Sequence, residues 1–179
     1  MNAPLIRRGI CHVFGDDIPL DEGVMPFKYA IGRVTDPQEL IPHLFEAIDP
    51  TFATRVRHGD IVIAGRNFGC GKAHMQGFIA MAALGMGVLC GSMPYKSHRG
   101  AIARGVPVLT GCENASDFAC TGDDLEIDFS SGCATNHSQG RQTRFPPLAP
   151  ILADLVAHGG LRGALTAYLQ AHPHMRETA

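Results

Sequence analysis

One run of this chain concentrates residues able to do chemistry: Gly65-Arg66-Asn67-Phe68-Gly69-Cys70-Gly71-Lys72-Ala73-His74-Met75. It follows an apolar, β-branched stretch, Asp60 to Ala64, and precedes a helical stripe at Met75, Phe78, Ile79 and Ala82. In open parallel sheets, ligands sit at the carboxyl ends of strands. The glycines let backbone approach a ligand closely, and a helix N-terminus attracts carboxylates. Lys72 and His74 are expected in the first turn of that helix, where a cation opposes the helix dipole. An anionic ligand would rationalise them, and a tight turn with a solvated lysine and a capped histidine is the plainer alternative. A second cluster, Asp16, Asp17 and Asp21, puts three carboxylates within six residues. Such a group can bind a cation or poise a general acid or base, and it is also ordinary turn composition. A third, Tyr95-Lys96-Ser97-His98-Arg99, opens another helix near another strand end. Lys72, His74, His98 and Arg99 are therefore candidates for one cleft, with a basic surface turn as the alternative.

These loops need a scaffold. Cys11 to Phe14 reads as a strand, followed by an irregular loop through Pro26. A helix from Pro37 to about Ala47 has Thr35 or Asp36 as N-cap. After the strand at 60–64 and the helix from Met75 come a strand at Val88–Cys90, a helix at Tyr95–Ala103 and a strand at Val106–Leu109. That succession predicts an α/β fold with a parallel sheet and right-handed crossovers. Leu125 to Phe129 alternates as an antiparallel or edge strand. Two short helices, around Leu148–Leu155 and Leu161–Leu169, close the chain, and the tail beyond His172 is expected to be loose.

The chain has 179 residues, 45% of them hydrophobic and 18% charged, which suits a single domain over 1–179. The net charge of −2 with scattered basic residues leaves no footprint for nucleic acid. The longest apolar run, Phe78 to Leu84, is too short to span a bilayer. The N-terminus lacks the apolar core of a signal peptide, so a cytoplasmic location is expected. Six cysteines without CxxC spacing read as free thiols, with no metal or cluster site in this chain.

Four ordered blocks resemble the small subunit of 3-isopropylmalate dehydratase, the related homoaconitases and the swivelling domain of aconitases. The first family block, D-D-I-x-T-D-x-I-x-P, is matched at Asp17, Ile18, Asp21 and Pro26. The second, G-x-N-F-G-C-G-S-S-R-E-H-A, is matched at Gly65, Asn67, Phe68, Gly69, Cys70 and Gly71. The third runs from Ser92 to Pro107 and keeps Arg99, Ala101, Ile102, Gly105 and Pro107. The fourth runs from Phe145-Pro146-Pro147 to Gly159-Gly160-Leu161.

The resemblance implies a swivelling β/β/α domain with a mainly parallel core sheet and C-terminal helices. It implies a hydro-lyase subunit that is inactive without a large subunit. That partner would carry a [4Fe–4S] cluster, whose open iron grips the hydroxyl and a carboxylate of a small hydroxy-acid substrate. Asp21 falls on the family's active-site aspartate. Asn67, Gly69, Cys70, Gly71 and Arg99 are the expected substrate-binding positions. Tyr29 joins them from a specificity loop over Phe27 to Arg33.

The chain departs from the family where S-S-R-E-H becomes Lys72-Ala73-His74-Met75-Gln76. The family's serine base and arginine clamp have no counterpart. Two readings follow: Lys72 holds the carboxylate as a point charge while His74 takes the proton, or the subunit has lost catalysis and serves assembly or regulation. A thiol redox role for Cys70 is a third class, and no cysteine pairs with it in sequence.

Overall fold

Residues Ile61, Val62, Ile63 and Ala64 are all buried, the signature of a strand covered on both faces. In the computed structural model, which describes residues 5–173, this strand is third from one edge of a seven-stranded sheet. The elements in chain order are β1 (Ile6–Val13), α1 (Phe27–Ile31), α2 (Pro37–Leu40), α3 (Phe52–Arg55), β2 (Ile61–Ala64), α4 (Gln76–Ala83), β3 (Gly87–Cys90) and α5 (Tyr95–Ala103). There follow β4 (Val108–Leu109), α6 (Ala115–Phe118), β5 (Asp124–Asp128), β6 (Cys133–Asn136), β7 (Arg141–Arg144), α7 (Pro150–Ala157) and α8 (Leu161–Ala171). The strand order is β4-β3-β2-β1-β5-β6-β7. Strands β4 to β1 run parallel, as expected. Beyond β1 the sheet turns antiparallel through β5, β6 and β7.

The two-residue period of a strand divides the core. Val62, Ala64, Val88 and Cys90 face one apolar cluster with Leu20, Phe45, Phe52, Phe68 and Phe78. Ile61, Ile63 and Leu89 face another with Ile102, Phe118, Leu125, Ile127 and Phe129. The first layer includes the acidic loop after β1, anchored through Leu20, Val24 and Met25, each at most 1% exposed. That loop therefore has a fixed seat beside β2 despite its irregular backbone.

Several boundaries differ from the sequence reading. Strand β1 starts at Ile6, because its first half pairs with β5, from Ile6 opposite Asp128 to Ile10 opposite Asp124. Asp36 caps α2, its Oδ1 accepting the Gln38 N–H at 2.9 Å, with Pro37 at the first helical position. The helix ends at Leu40 and tightens into a 3-10 turn over Ile41–His43, well before Ala47. Pro42 has no N–H to continue the α-helical ladder. Strand β5 is antiparallel but interior, flanked by β1 and β6. The tail from residue 174 lies outside the described residues.

Candidate active site

The two loops singled out by their chemistry are laced together along their length. The Gly65 N–H donates to the Gly15 carbonyl at 3.0 Å, Asp17 N–H to Arg66 at 2.8 Å, Gly69 N–H to Ile18 at 2.7 Å, and Leu20 N–H to Cys70 at 2.8 Å. Side chains add to this. Asp16 Oδ1 accepts the Arg66 N–H at 2.7 Å, and Asp17 Oδ1 accepts Asn67 Nδ2 at 2.7 Å. Asp21 Oδ1 accepts the Lys72 N–H at 2.9 Å. The parallel pairing of β1 with β2 brings both loops to one end of the sheet.

This lacing revises the expectation for the glycines. They admit the neighbouring acidic loop and helix α5. Gly69 has φ +77°, and a Cβ there would lie 3.2 Å from the Ser97 Cβ. Gly71 has φ +78°, and a Cβ there would collide with the Asp21 carboxylate. The amides of Arg66, Asn67, Gly69 and Lys72 are taken by Asp16, Ser92, Ile18 and Asp21. Those four are therefore not offered to an anion.

A second correction concerns the helix. Helix α4 begins at Gln76, with Met75 as its N-cap residue. Lys72 and His74 precede it instead of occupying its first turn, so the dipole gives no reason for their presence. Lys72 is exposed, with Nζ 4.7 Å from the centroid of the Phe27 ring. His74 is 8% exposed, and its ring centroid lies 5.7 Å from that of Phe27. Neither His74 nitrogen has a partner at hydrogen-bond geometry. Burial pushes the imidazole below its ordinary value of 6.5, against upward pulls from Gln76, Asp21, the Leu20 backbone and Glu22. At neutral pH the ring is uncharged with a free lone pair, the state a proton acceptor needs.

The remaining candidates disperse around this centre. The Cys70 carbonyl holds Leu20, and its thiol is half-buried and free. Tyr29, on α1, packs against His43 at 4.7 Å between centroids. Ser97, not His98, reaches the loop, its Oγ donating to the Gly69 carbonyl at 2.5 Å. Burial lowers His98 too, opposed by a hydrogen bond with the Val108 backbone, and His98 lines a separate 360 Å³ cleft with Tyr95 and Thr110. Arg99 is exposed, 5.6 Å over the Tyr95 ring. Among the described residues no group of three or more His, Cys, Asp or Glu could hold a metal ion.

Sequence reasoning placed Phe27 at the start of the specificity loop but did not single it out as the residue that touches both Lys72 and His74. Its signal was an aromatic side chain directly after Pro26, at the end of the acidic loop. Glu22 anchors it, Oε1 accepting the Phe27 N–H at 3.0 Å. Phe27→Ala removes part of the cover over His74. The His74 titration midpoint, followed by NMR, should move up toward 6.5. An unchanged midpoint would mean that Phe27 does not create the buried environment.

Comparison with known proteins decides the family. The chain is 38% identical over 158 residues to the 3-isopropylmalate dehydratase small subunit of Moorella thermoacetica, covering 88% of this chain and 93% of that one. The chain belongs to the family of 3-isopropylmalate dehydratase small subunits. A second relative, small subunit 1 of Methanopyrus kandleri, is 35% identical over 157 residues, covering 87% of this chain and 90% of its own. Among solved structures, 3-isopropylmalate dehydratase (leuD) from Methanocaldococcus jannaschii superposes with a TM-score of 0.83 at 29% identity, covering 95% of this chain and 99% of that one. No family model matches the chain. The hydro-lyase small subunit inferred from four sequence blocks, and its α/β fold, both stand.

Buried His74 and half-buried His98 weaken stability on the acid side. An unfolded histidine binds its proton near pH 6.5, whereas folded His74 and His98 resist it. Below that value the unfolded state binds more protons, so stability falls as pH drops. The thiols act at the other end: burial raises Cys11 to about 11 and Cys90 and Cys112 to about 12, from 9.0. Their contribution is complete below pH 9.0 and is lost as pH rises toward those values. Urea midpoints should therefore be highest at about pH 7–9 and lower at pH 5.5. A midpoint unchanged between pH 7.5 and 5.5 would contradict the uncharged state of His74 and His98.

Proposed function

We propose that this chain pairs with a large subunit carrying a [4Fe–4S] cluster, and that the pair interconverts a small hydroxy acid and its alkene by removing or adding water across the carbon–carbon double bond. Family membership at 38% identity over nearly the whole chain carries this reading. The cluster, when bound, supplies the Lewis acid for the hydroxyl. The described residues offer no ligand set for it, so its ligands are assigned to the partner. Lys72 provides an exposed positive charge for a substrate carboxylate. It is a point charge without the fork of an arginine, so recognition is less directional. His74 provides a neutral imidazole to accept the proton, and Asp21 holds the Lys72 backbone in place. For His74 to act, Phe27 must turn aside, since both ring nitrogens are buried. Cytoplasmic residence belongs to the same reading, supported by six free thiols, and no helix among the described residues is long and apolar enough to cross a membrane.

One observation favours the second reading, an assembly or regulatory subunit: neither His74 nitrogen is exposed in the isolated chain. Association comes first in either case. This chain and the large subunit from the same genome, mixed without oxygen, should elute as one complex from a sizing column. Separate elution would overturn both readings.

A further inference from the structure

At the end of the sheet opposite the acidic loop, helices α4, α5, α7 and α8 border a groove of about 880 Å³. We infer that it binds a small organic anion with an apolar tail, through Arg7, Arg104 and Arg162.

The groove is lined by three arginines and no carboxylate. No carboxylate side chain is paired with any of the three among the described residues. Arg8 is paired with Asp124 and lies 3.9 Å from Glu126. Its neighbour Arg7 turns the other way, and its polar contact is to its own chain, Nη1 donating to the Ile6 carbonyl at 3.1 Å. The Arg7 Nε is buried with no partner, and burial lowers the guanidinium below its ordinary value. Neither Arg104 nor Arg162 has a side-chain partner among the described residues. Arg104 is the C-cap residue of α5, where the helix dipole favours a cation. Arg162 sits instead in the first turn of α8, whose cap residue Gly160 has no side chain to take the free amides. A cation there is unfavourable unless an anion joins it.

The walls are apolar. Ile79, Val156, Leu161 and Leu165 line the groove, and Leu161 and Leu165 remain 59% and 55% exposed. A few convergent cations on an apolar wall select an amphiphile: a carboxylate or phosphate head with a short hydrocarbon tail. The volume lies in the range of small-molecule sites, about 300–1,000 Å³. It does not require a long partner segment to fill it.

Calorimetric titration tests this, using octanoate and octyl phosphate as probes, with octanol as the uncharged control. The full chain and its complex with the large subunit are both titrated. Both anions, or one of them, should bind to both preparations at least about tenfold more tightly than octanol. Arg104→Gln and Arg162→Gln should each weaken binding by about tenfold, with the melting temperature of the free protein unchanged. An Asp21→Asn variant should bind as the wild type does, which places the event away from the catalytic loop. Whichever anion binds more tightly identifies the head group. No binding, or binding that the arginine variants leave intact, overturns the inference. Binding by the free chain alone also overturns it, since the groove would then be the seat of the partner subunit.

Discussion

Replacing Asp60 by leucine should lower the melting temperature by roughly 10 °C. Asp60 is 1% exposed and ties three donors together. Its Oδ1 accepts the Ile10 N–H at 2.9 Å, and its Oδ2 accepts the Arg57 N–H at 2.9 Å and lies 2.8 Å from His12 Nε2. Leucine fills the space but answers none of these donors. Each buried donor left without a partner costs about 1–3 kcal/mol, so the sum is on the order of 3–5 kcal/mol after partial relaxation. In a chain of this length 1 kcal/mol shifts melting by about 2–4 °C. Asp60→Asn keeps one acceptor and should fall between leucine and wild type. The effect bears on function because Asp60 fastens β1 to the start of β2. Both candidate-site loops leave the far ends of those strands. A melting temperature unchanged in Asp60→Leu would show that another contact sets this junction.

His74→Gln in the assembled enzyme should lower kcat by about 10²–10⁴-fold, the usual worth of a general base. KM should change little, because the proposed contact to the substrate carboxylate is Lys72. Glutamine keeps polarity and approximate size, so the folded loop survives. Lys72→Met should show the opposite split, raising KM more than it lowers kcat. If His74→Gln instead raises KM and spares kcat, His74 binds substrate and another group takes the proton. Steady-state kinetics on the two variants separate these cases.

Much of this was legible in the sequence, for identifiable reasons. β2, β3 and α4 emerge from buried apolar runs and one helical stripe, patterns that burial itself imposes. Helix α5 is bounded as its sequence suggests, from Tyr95 to Ala103. Strand β7 was not visible: Arg141-Gln142-Thr143-Arg144 is exposed throughout and exists through pairing with β6. Helices α1, α3 and α6 have four or five residues each, too few for a helical period to show. At the candidate site, Asp21, Asn67, Gly69, Gly71, Lys72 and His74 are close in the fold as the motifs imply. What their spacing could not reveal is direction. Asp16 and Asp21 point at backbone amides of the neighbouring loop, and those amides are thereby closed to a ligand. Likewise Phe27, remote in sequence from Lys72 and His74, reaches them only because the acidic loop folds back across β2.

The most direct test of the whole account is turnover by the reconstituted pair. This chain and its large subunit are combined without oxygen, and alkene formation is followed by ultraviolet absorbance across a panel of small hydroxy acids. The account predicts turnover of at least one of them by the complex, and none by either chain alone. A stable, cluster-bearing complex that turns over none would contradict it, and would leave this chain as an assembly or regulatory member of its family.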